Sequence, residues 1–326
     1  MDPILGGAEP VAPVREGRPQ AVPPSADAWG LREGDAIAPR RLAVTLLGGG
    51  ERYETYLAWD EHLLSLVVVK IVRPHLVEDE HALGGLAAEA ELVERLRHPV
   101  IVRGLDAVLD GPRPHLVLEH LEGPRLSRVI RKQGALEPEQ LLPLGLQLAA
   151  ALHYLREEGV VHLDVKPSNV ILGAPARLID LSIARTAEQL QGVRHRIGTD
   201  AYMAPEQCDP ERLGPMGSPA DVWGMGATLF HGAAGRRPFP DGSRDGSREE
   251  RFPQLREEPA ALPASVDSEV AELVLACLAF EPDERPTAAE VASELERLVA
   301  DLPQRPVLSR FRIRPLRAKD AGVPGF

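Results

Sequence analysis

The run His162-Leu163-Asp164-Val165-Lys166-Pro167-Ser168-Asn169 sets an acid, an ammonium two residues on and an amide five residues on within one short segment. Asp180 follows sixteen residues after Asp164, in Asp180-Leu181-Ser182, and Ala204-Pro205-Glu206 comes later. Carboxylate and amide oxygens are the hard ligands that a magnesium-type ion takes. A lysine beside them can neutralise phosphate charge, and a carboxylate can orient or accept the proton of a hydroxyl. Asp, Pro, Ser and Asn are also common turn formers, and any one of them alone would read as a turn. Upstream, Gly48-Gly49-Gly50 lies between two strand-like stretches and suits a hairpin loop whose amides approach phosphates closely. Lys70 ends the apolar run Val67-Val68-Val69, and Glu89 stands nineteen positions later. Together the set can attend a hydroxyl, a phosphate and a metal ion.

Two kinds of scaffold must position these groups. From residue 41 the chain reads as strands at 41–47, 53–59 and 63–72, the last rich in valine. A helix follows at 80–97, with Leu83, Leu86, Ala90, Val93 and Leu96 at helical spacing, and strands are expected at 101–109 and 115–120. Beyond Gly123 the pattern turns helical. Pro138 suits the first turn of a long apolar helix reaching 158. Ser218-Pro219-Ala220-Asp221 reads as an N-cap with proline behind it, and Thr287-Ala288-Ala289-Glu290 as a capping box opening a last helix to 300. Residues 236–262, rich in Arg, Gly, Pro and Glu, read as a surface excursion. No internal repeat is present.

The chain of 326 residues is 44% hydrophobic and 26% charged, the composition of a soluble globular protein. No apolar run reaches the roughly 18 residues of a membrane helix; the nearest stretch, 141–155, is shorter and contains Pro143. No signal peptide is apparent. Cys208 and Cys277 stand 69 positions apart without metal-ligand spacing, so a reduced, cytoplasmic compartment is expected. The net charge of −12 argues against a general nucleic-acid binder. Residues 1–40 carry seven prolines and few large apolar groups, and are expected to be mostly disordered. The tail alternates apolar and basic residues near Leu308-Ser309-Arg310-Phe311-Arg312 and is expected to be solvated, with Ser309 a candidate for self-phosphorylation.

The motifs and their order resemble the protein-kinase family, whose signatures read H-R-D-x-x-x-x-N, D-F-G and A-P-E. With Gly235-Arg236-Arg237-Pro238-Phe239 and Asp221-Val222-Trp223-Gly224, the overall look is that of bacterial Ser/Thr kinases of the eukaryotic-like type. The resemblance implies an α+β, bilobal kinase fold: a small β-rich N-lobe with one long helix and a larger, mainly helical C-lobe. It covers 38–300, with lobes at about 38–120 and 121–300, after an N-terminal segment 1–37 and before a basic tail 301–326. It implies an ATP-dependent protein Ser/Thr kinase using Mg²⁺, or Mn²⁺ in its place. Protein substrates would include the chain itself, through self-association.

Residue by residue, the resemblance assigns catalysis to Asp164, Lys166, Asn169 and Thr199, and metal binding to Asn169 and Asp180. Nucleotide contacts fall to Leu47, Gly48, Gly50, Thr55, Val68, Leu118, Glu119, Leu121 and Ile171. Lys70 would be aimed at the α/β-phosphates by Glu89. His162 becomes structural, Asp221 holds the catalytic-loop backbone, and Glu206 pairs with Arg285. Four departures stand out: Tyr53 for the third loop glycine, Thr55 for the adenine-covering valine, Leu163 for arginine and Ser182 for the glycine of D-F-G. They leave open a pseudokinase that only binds or scaffolds. Without the arginine at 163, activity is expected not to require activation-loop phosphorylation. A small-molecule phosphotransferase would share the H-x-D-x-x-x-x-N loop but generally lacks the Gly198-Thr199…Ala204-Pro205-Glu206 segment.

Overall fold

The computed structural model describes residues 27–302. The expectations for residues 1–26 and 303–326, Ser309 included, lie outside the described residues. Six antiparallel strands form the first layer: β1 (Ala36–Ala38), β2 (Arg41–Gly49), β3 (Tyr53–Asp60), β4 (Ser65–Val72), β5 (Gly104–Val108) and β6 (His115–Glu119), in the order β1-β2-β3-β4-β6-β5. The period-2 alternation of β3 explains its two faces. Tyr56 and Ala58 point outward into a small cluster with Val67, Val69 and Ile71, while Tyr53 faces the main core. Helix α1 (Glu80–Arg95) is capped by Asp79, whose side chain accepts from Ala82 N, and it buries Leu86, Ala90 and Val93.

The rest is helical. It comprises α2 (Leu126–Gln133), α3 (Pro138–Glu157), the single-turn α4 (Ala187–Leu190), α5 (Pro205–Cys208) and α6 (Pro210–Leu213), then α7 (Ser218–Ala234), α8 (Arg248–Arg251), α9 (Ser268–Cys277) and α10 (Ala288–Ala300). Two short ladders frame the segment that carries Asp164 to Asp180: β7 (Val160–Val161) with β10 (Arg185–Thr186) brackets it, and β8 (Val170–Ile171) with β9 (Arg177–Leu178) forms a hairpin within it. Helix α7 is apolar all round, and Trp223, Phe230 and Met225 are fully buried, so the lobe is built around it. One hydrophobic cluster runs from α1 through α3 and α7 to α10, giving both lobes a continuous core.

Several expectations need correction. Residues 27–37 are ordered rather than part of a disordered segment: Trp29 Nε1 donates to Val72 O at 2.7 Å, and Trp29 with Leu31 covers the outer sheet cluster. A single large side chain supplies what the composition lacks. Leu63 and Leu64 lie exposed in the β3–β4 turn, because Leu64 takes φ 50°, and the strand starts at Ser65. Ser218 is the first helical residue, and Gly217 occupies the cap without a side-chain bond. Residues 236–262 include α8 and the buried Phe252, Gln254 and Leu255, which anchor them against Met203 and Cys208. Helices α2 and α9 add to those expected.

Candidate active site

Lys70 sits on β4, opposite Thr55 of β3 and Leu116 of β6. Its Nζ reaches Glu89 Oε2 of α1 at 2.6 Å and Asp180 Oδ1 at 3.2 Å. The Glu89 carboxylate is 1% exposed and Asp180 39% exposed, so the pair is closed on one side and open toward the cleft on the other. Burial alone would push the Lys70 ammonium down, but the two carboxylates outweigh it and raise it to about 12. Burial likewise opposes ionisation of Asp180; Lys70 and Ser182 prevail and hold its carboxyl at about 2. Asp180 is therefore an anion across the physiological pH range, and its φ of 70° turns it toward the lysine.

The catalytic loop is held from beneath. Asp221, near the start of α7, accepts from His162 N and Leu163 N at 2.7 Å each. These bonds fix Leu163 at φ 66°, a left-handed conformation that costs a leucine about 1–3 kcal/mol. Leu163 itself is buried in the core, and its carbonyl accepts from Gln207 Nε2 at 2.9 Å. His162 is fully buried, and its Nδ1 accepts from Asp164 N at 3.3 Å, a structural position. Asp164 Oδ1 accepts from Thr199 Oγ1 at 2.7 Å. Its Oδ2 accepts from Lys166 Nζ at 2.7 Å and from Asn169 Nδ2 at 3.0 Å. Lys166 also donates to Thr199 Oγ1 at 2.6 Å. Asn169 spends its amide N–H groups on Asp164, which leaves its oxygen available as a ligand.

The roof is open. Gly48 adopts φ 155° at a bulge in β2, and a Cβ added at Gly48 or Gly50 would meet nothing within 4 Å. Val68 and Leu118 are register partners, and Val68 and Leu121 pack on the same core as Leu118; Ile171 stands on β8. Leu47 is 48% exposed and stands apart from them. The Glu119 carboxylate is engaged by Arg177 at 3.0 Å and Arg103 at 3.2 Å, which leaves its backbone groups as the part available to a nucleotide.

Residues 43–295 match the family model for the protein kinase domain. The chain belongs to the protein kinase family. It is 35% identical over 242 residues to the serine/threonine-protein kinase PkaA of Streptomyces coelicolor, covering 72% of this chain and 43% of that protein. It is 30% identical over 267 residues to the serine/threonine-protein kinase PknB of Mycolicibacterium smegmatis, covering 78% of this chain and 42% of that one. The chain thus spans less than half the length of these relatives. Membership implies use of ATP and a divalent metal, and the kinase domain fits both. Among the described residues no cluster of three or more His, Cys, Asp or Glu forms a self-sufficient metal cage. Magnesium held with a nucleotide needs only one or two protein oxygens, the rest coming from phosphates and water. Asn169 and the ionised Asp180 provide that number.

Other contacts in the kinase domain were not foreseen. Tyr53 does not thicken the glycine loop but turns inward. Its hydroxyl donates to Ala82 O of α1 at 2.8 Å, and its ring lies 5.0 Å from Lys70 Nζ. Gly85 makes room, since a Cβ there would lie 2.7 Å from that hydroxyl. The signal was the Gly84-Gly85 pair inside a helix, where glycine costs about 1 kcal/mol and needs a packing reason. Gln207 and Gln254 hold the activation segment through Ile197 O at 2.8 Å, Asp200 O at 2.8 Å and Met203 O at 3.0 Å. Glu206 on α5 pairs with Arg285, as expected from the motif order.

Proposed function

We propose that this chain is an ATP-dependent protein serine/threonine kinase that carries the γ-phosphoryl group of Mg-ATP to Ser and Thr hydroxyls of protein substrates, itself included. The observation that carries the reading is the Lys70 ammonium bonded to Glu89 and Asp180 at once, the arrangement needed to aim a lysine at phosphates beside a metal ligand. We assign the kinase domain to 38–300, with the lobes meeting near 120, extended in front by 27–37.

Asp164 receives the acceptor hydroxyl, orients its oxygen toward the γ-phosphorus and accepts its proton. That oxygen bonds to phosphorus as the bridging oxygen leaves with ADP. Lys166, 2.7 Å from Asp164, stabilises charge on the transferring group, and Thr199 locks the two in register. Lys70 holds the α/β-phosphates, while Gly48 and Gly50 leave space for backbone amides to approach. Val68, Leu118, Leu121 and Ile171 line the adenine side, with Leu47 and Thr55 above. Asn169 and Asp180 would hold the Mg²⁺ that accompanies ATP, or Mn²⁺ in its place, and the ion would supply neutralisation of phosphate charge. Serine and threonine specificity rests on Lys166 and Thr199. A protein of net charge −12 is matched to protein rather than nucleic-acid substrates. No helix among the described residues is long and apolar enough to cross a membrane, and two reduced cysteines fit a cytoplasmic location. The pseudokinase reading is not favoured, because every charged group it would lack is present.

Transfer of labelled phosphate from ATP to a generic protein substrate, run beside Asp164→Asn, tests this. Loss of a general base lowers rates by about 10²–10⁴-fold, so the variant should fall by that much while still binding nucleotide. Native protein that binds nucleotide without transferring phosphate would instead establish the scaffold reading.

Activation by loop phosphorylation is not required in this account, since Gln207, Gln254 and Asp221 perform the anchoring. Thr186, an acceptor in that loop, caps α4 by accepting from Gln189 N at 3.3 Å. Thr186→Ala should keep transfer within about threefold and cost about 1 kcal/mol of stability. Chemical denaturation and the transfer assay measure the two, and a collapse of activity in this variant would refute the idea.

A further inference from the structure

A cavity among the described residues lies outside the nucleotide cleft. It is an open pocket of about 830 Å³ between α2 and the loop that follows α7, with Tyr202 and His231 among its walls. Tyr202 N donates to Thr199 O at 2.8 Å, so this wall starts one turn from the hydroxyl that bridges Asp164 and Lys166. At the other end Arg125, the residue preceding α2, donates to Ser168 O of the catalytic loop at 2.8 Å. Arg131 lines the pocket six residues further along, about 9 Å by helical rise. A substrate that places its hydroxyl at Asp164 therefore brings side chains about three residues away to this pocket, at about 3.3 Å per extended residue.

The charge of that pocket is opposite to that of the chain. The protein carries −12 overall, yet Arg131, Arg236 and Arg237 line the pocket against a single carboxylate, Asp241. Asp241 is bonded to Arg237 at 2.5 Å. Arg236 is braced by its bond to Ala261 O at 2.9 Å and lies 5.8 Å from the Phe230 ring, so its fork is pre-set rather than free. Tyr202 and His231 stack and share a 2.7 Å hydrogen bond, giving the guanidinium groups a rigid neighbour. Burial and Arg237 both push the His231 imidazole down, a sign of the positive field there.

Building on the kinase reading, we propose that this pocket selects protein substrates with aspartate or glutamate about three residues from the phosphorylated Ser or Thr. Arginine forks suit planar carboxylates, and a basic substrate would meet like charge. Arg131 and the braced Arg236 supply the donors, while Asp241 moderates the site by occupying Arg237.

The test uses the full chain, Mg-ATP and matched serine peptides with aspartate, alanine, arginine or phosphoserine three residues before or after the acceptor. At low salt, aspartate on one side should raise kcat/KM about tenfold over alanine through a lower KM, with arginine below alanine. Arg131→Ala, at an exposed helix position, should bring the aspartate-to-alanine ratio near one. Asp241→Ala should raise that ratio by freeing Arg237. A native ratio of one or less, or ratios that neither variant moves, overturns the inference alone. A phosphoserine peptide surpassing aspartate by more than tenfold assigns the pocket to phosphate and overturns the carboxylate assignment. Nucleotide binding without transfer to any peptide overturns the kinase reading and this inference with it.

Discussion

Replacing Lys70 by methionine is expected to lower phosphoryl transfer by about 10²–10³-fold, the cost of removing one preorganised charge-stabilising group. The same change should destabilise the domain by about 3–5 kcal/mol, because it leaves a buried charge uncompensated. The reason is local: Glu89 is 1% exposed, and its ionic partner is the Lys70 ammonium at 2.6 Å. Asp180 loses the same partner but faces the cleft, where water can replace it. The two effects separate in the pair Lys70→Met with Glu89→Gln. The neutral amide removes the stranded charge, so denaturant titration should recover most of the stability. Transfer should remain at the level of the single variant, since no amide replaces a cation on the phosphates. Activity within tenfold of native in Lys70→Met would refute the role given to this lysine.

Arg285→Ala should have a comparable effect on stability without touching the nucleotide. Both terminal guanidinium nitrogens of this residue reach Glu206, at 2.7 and 2.8 Å, with side-chain exposures of 0% and 2%. The same group donates to Ala279 O at 2.8 Å, Phe280 O at 2.9 Å and Pro219 O at 3.0 Å, and lies 5.0 Å from the Trp223 ring. Truncation strands one carboxylate and three carbonyls, for an expected loss of about 3–5 kcal/mol. That corresponds to a fall in Tm of about 10 °C for a domain of this size. Arg285→Lys should recover little, because an ammonium cannot span both carboxylate oxygens and the carbonyls together. Glu206 follows the activation segment directly, so peptide KM should rise more than ATP KM. A loss under 1 kcal/mol by calorimetry would show that the bridge is not structural.

Much of this was legible from residue type and spacing, for a physical reason. The strands around Lys70 alternate or run apolar, and the charged groups proposed to meet phosphate lie in motifs whose order restricts the chemistry. What stayed hidden depends on tertiary context. Trp29 lies in a proline-rich stretch and becomes ordered only because Val72 O and the outer face of the sheet receive it. Helix α2 buries only Leu126, Val129 and Ile130, too short a stripe to stand out from its basic residues. The left-handed backbone at Leu163 is not a preference of its side chain and is held by Asp221. Tyr53 stands where the resemblance expects a loop glycine, and its packing against α1 depends on Gly85.

The central claim is that Lys70, Glu89, Asp164, Lys166, Asn169 and Asp180 serve one magnesium-bound triphosphate between the lobes. A crystal structure of the full chain with Mg²⁺ and a non-hydrolysable ATP analogue tests it most directly. The account predicts phosphates beside Lys70 and the metal against the oxygens of Asn169 and Asp180, with Asp164 and Lys166 facing the terminal phosphate. Nucleotide bound elsewhere, or a metal that touches neither Asn169 nor Asp180, would contradict it.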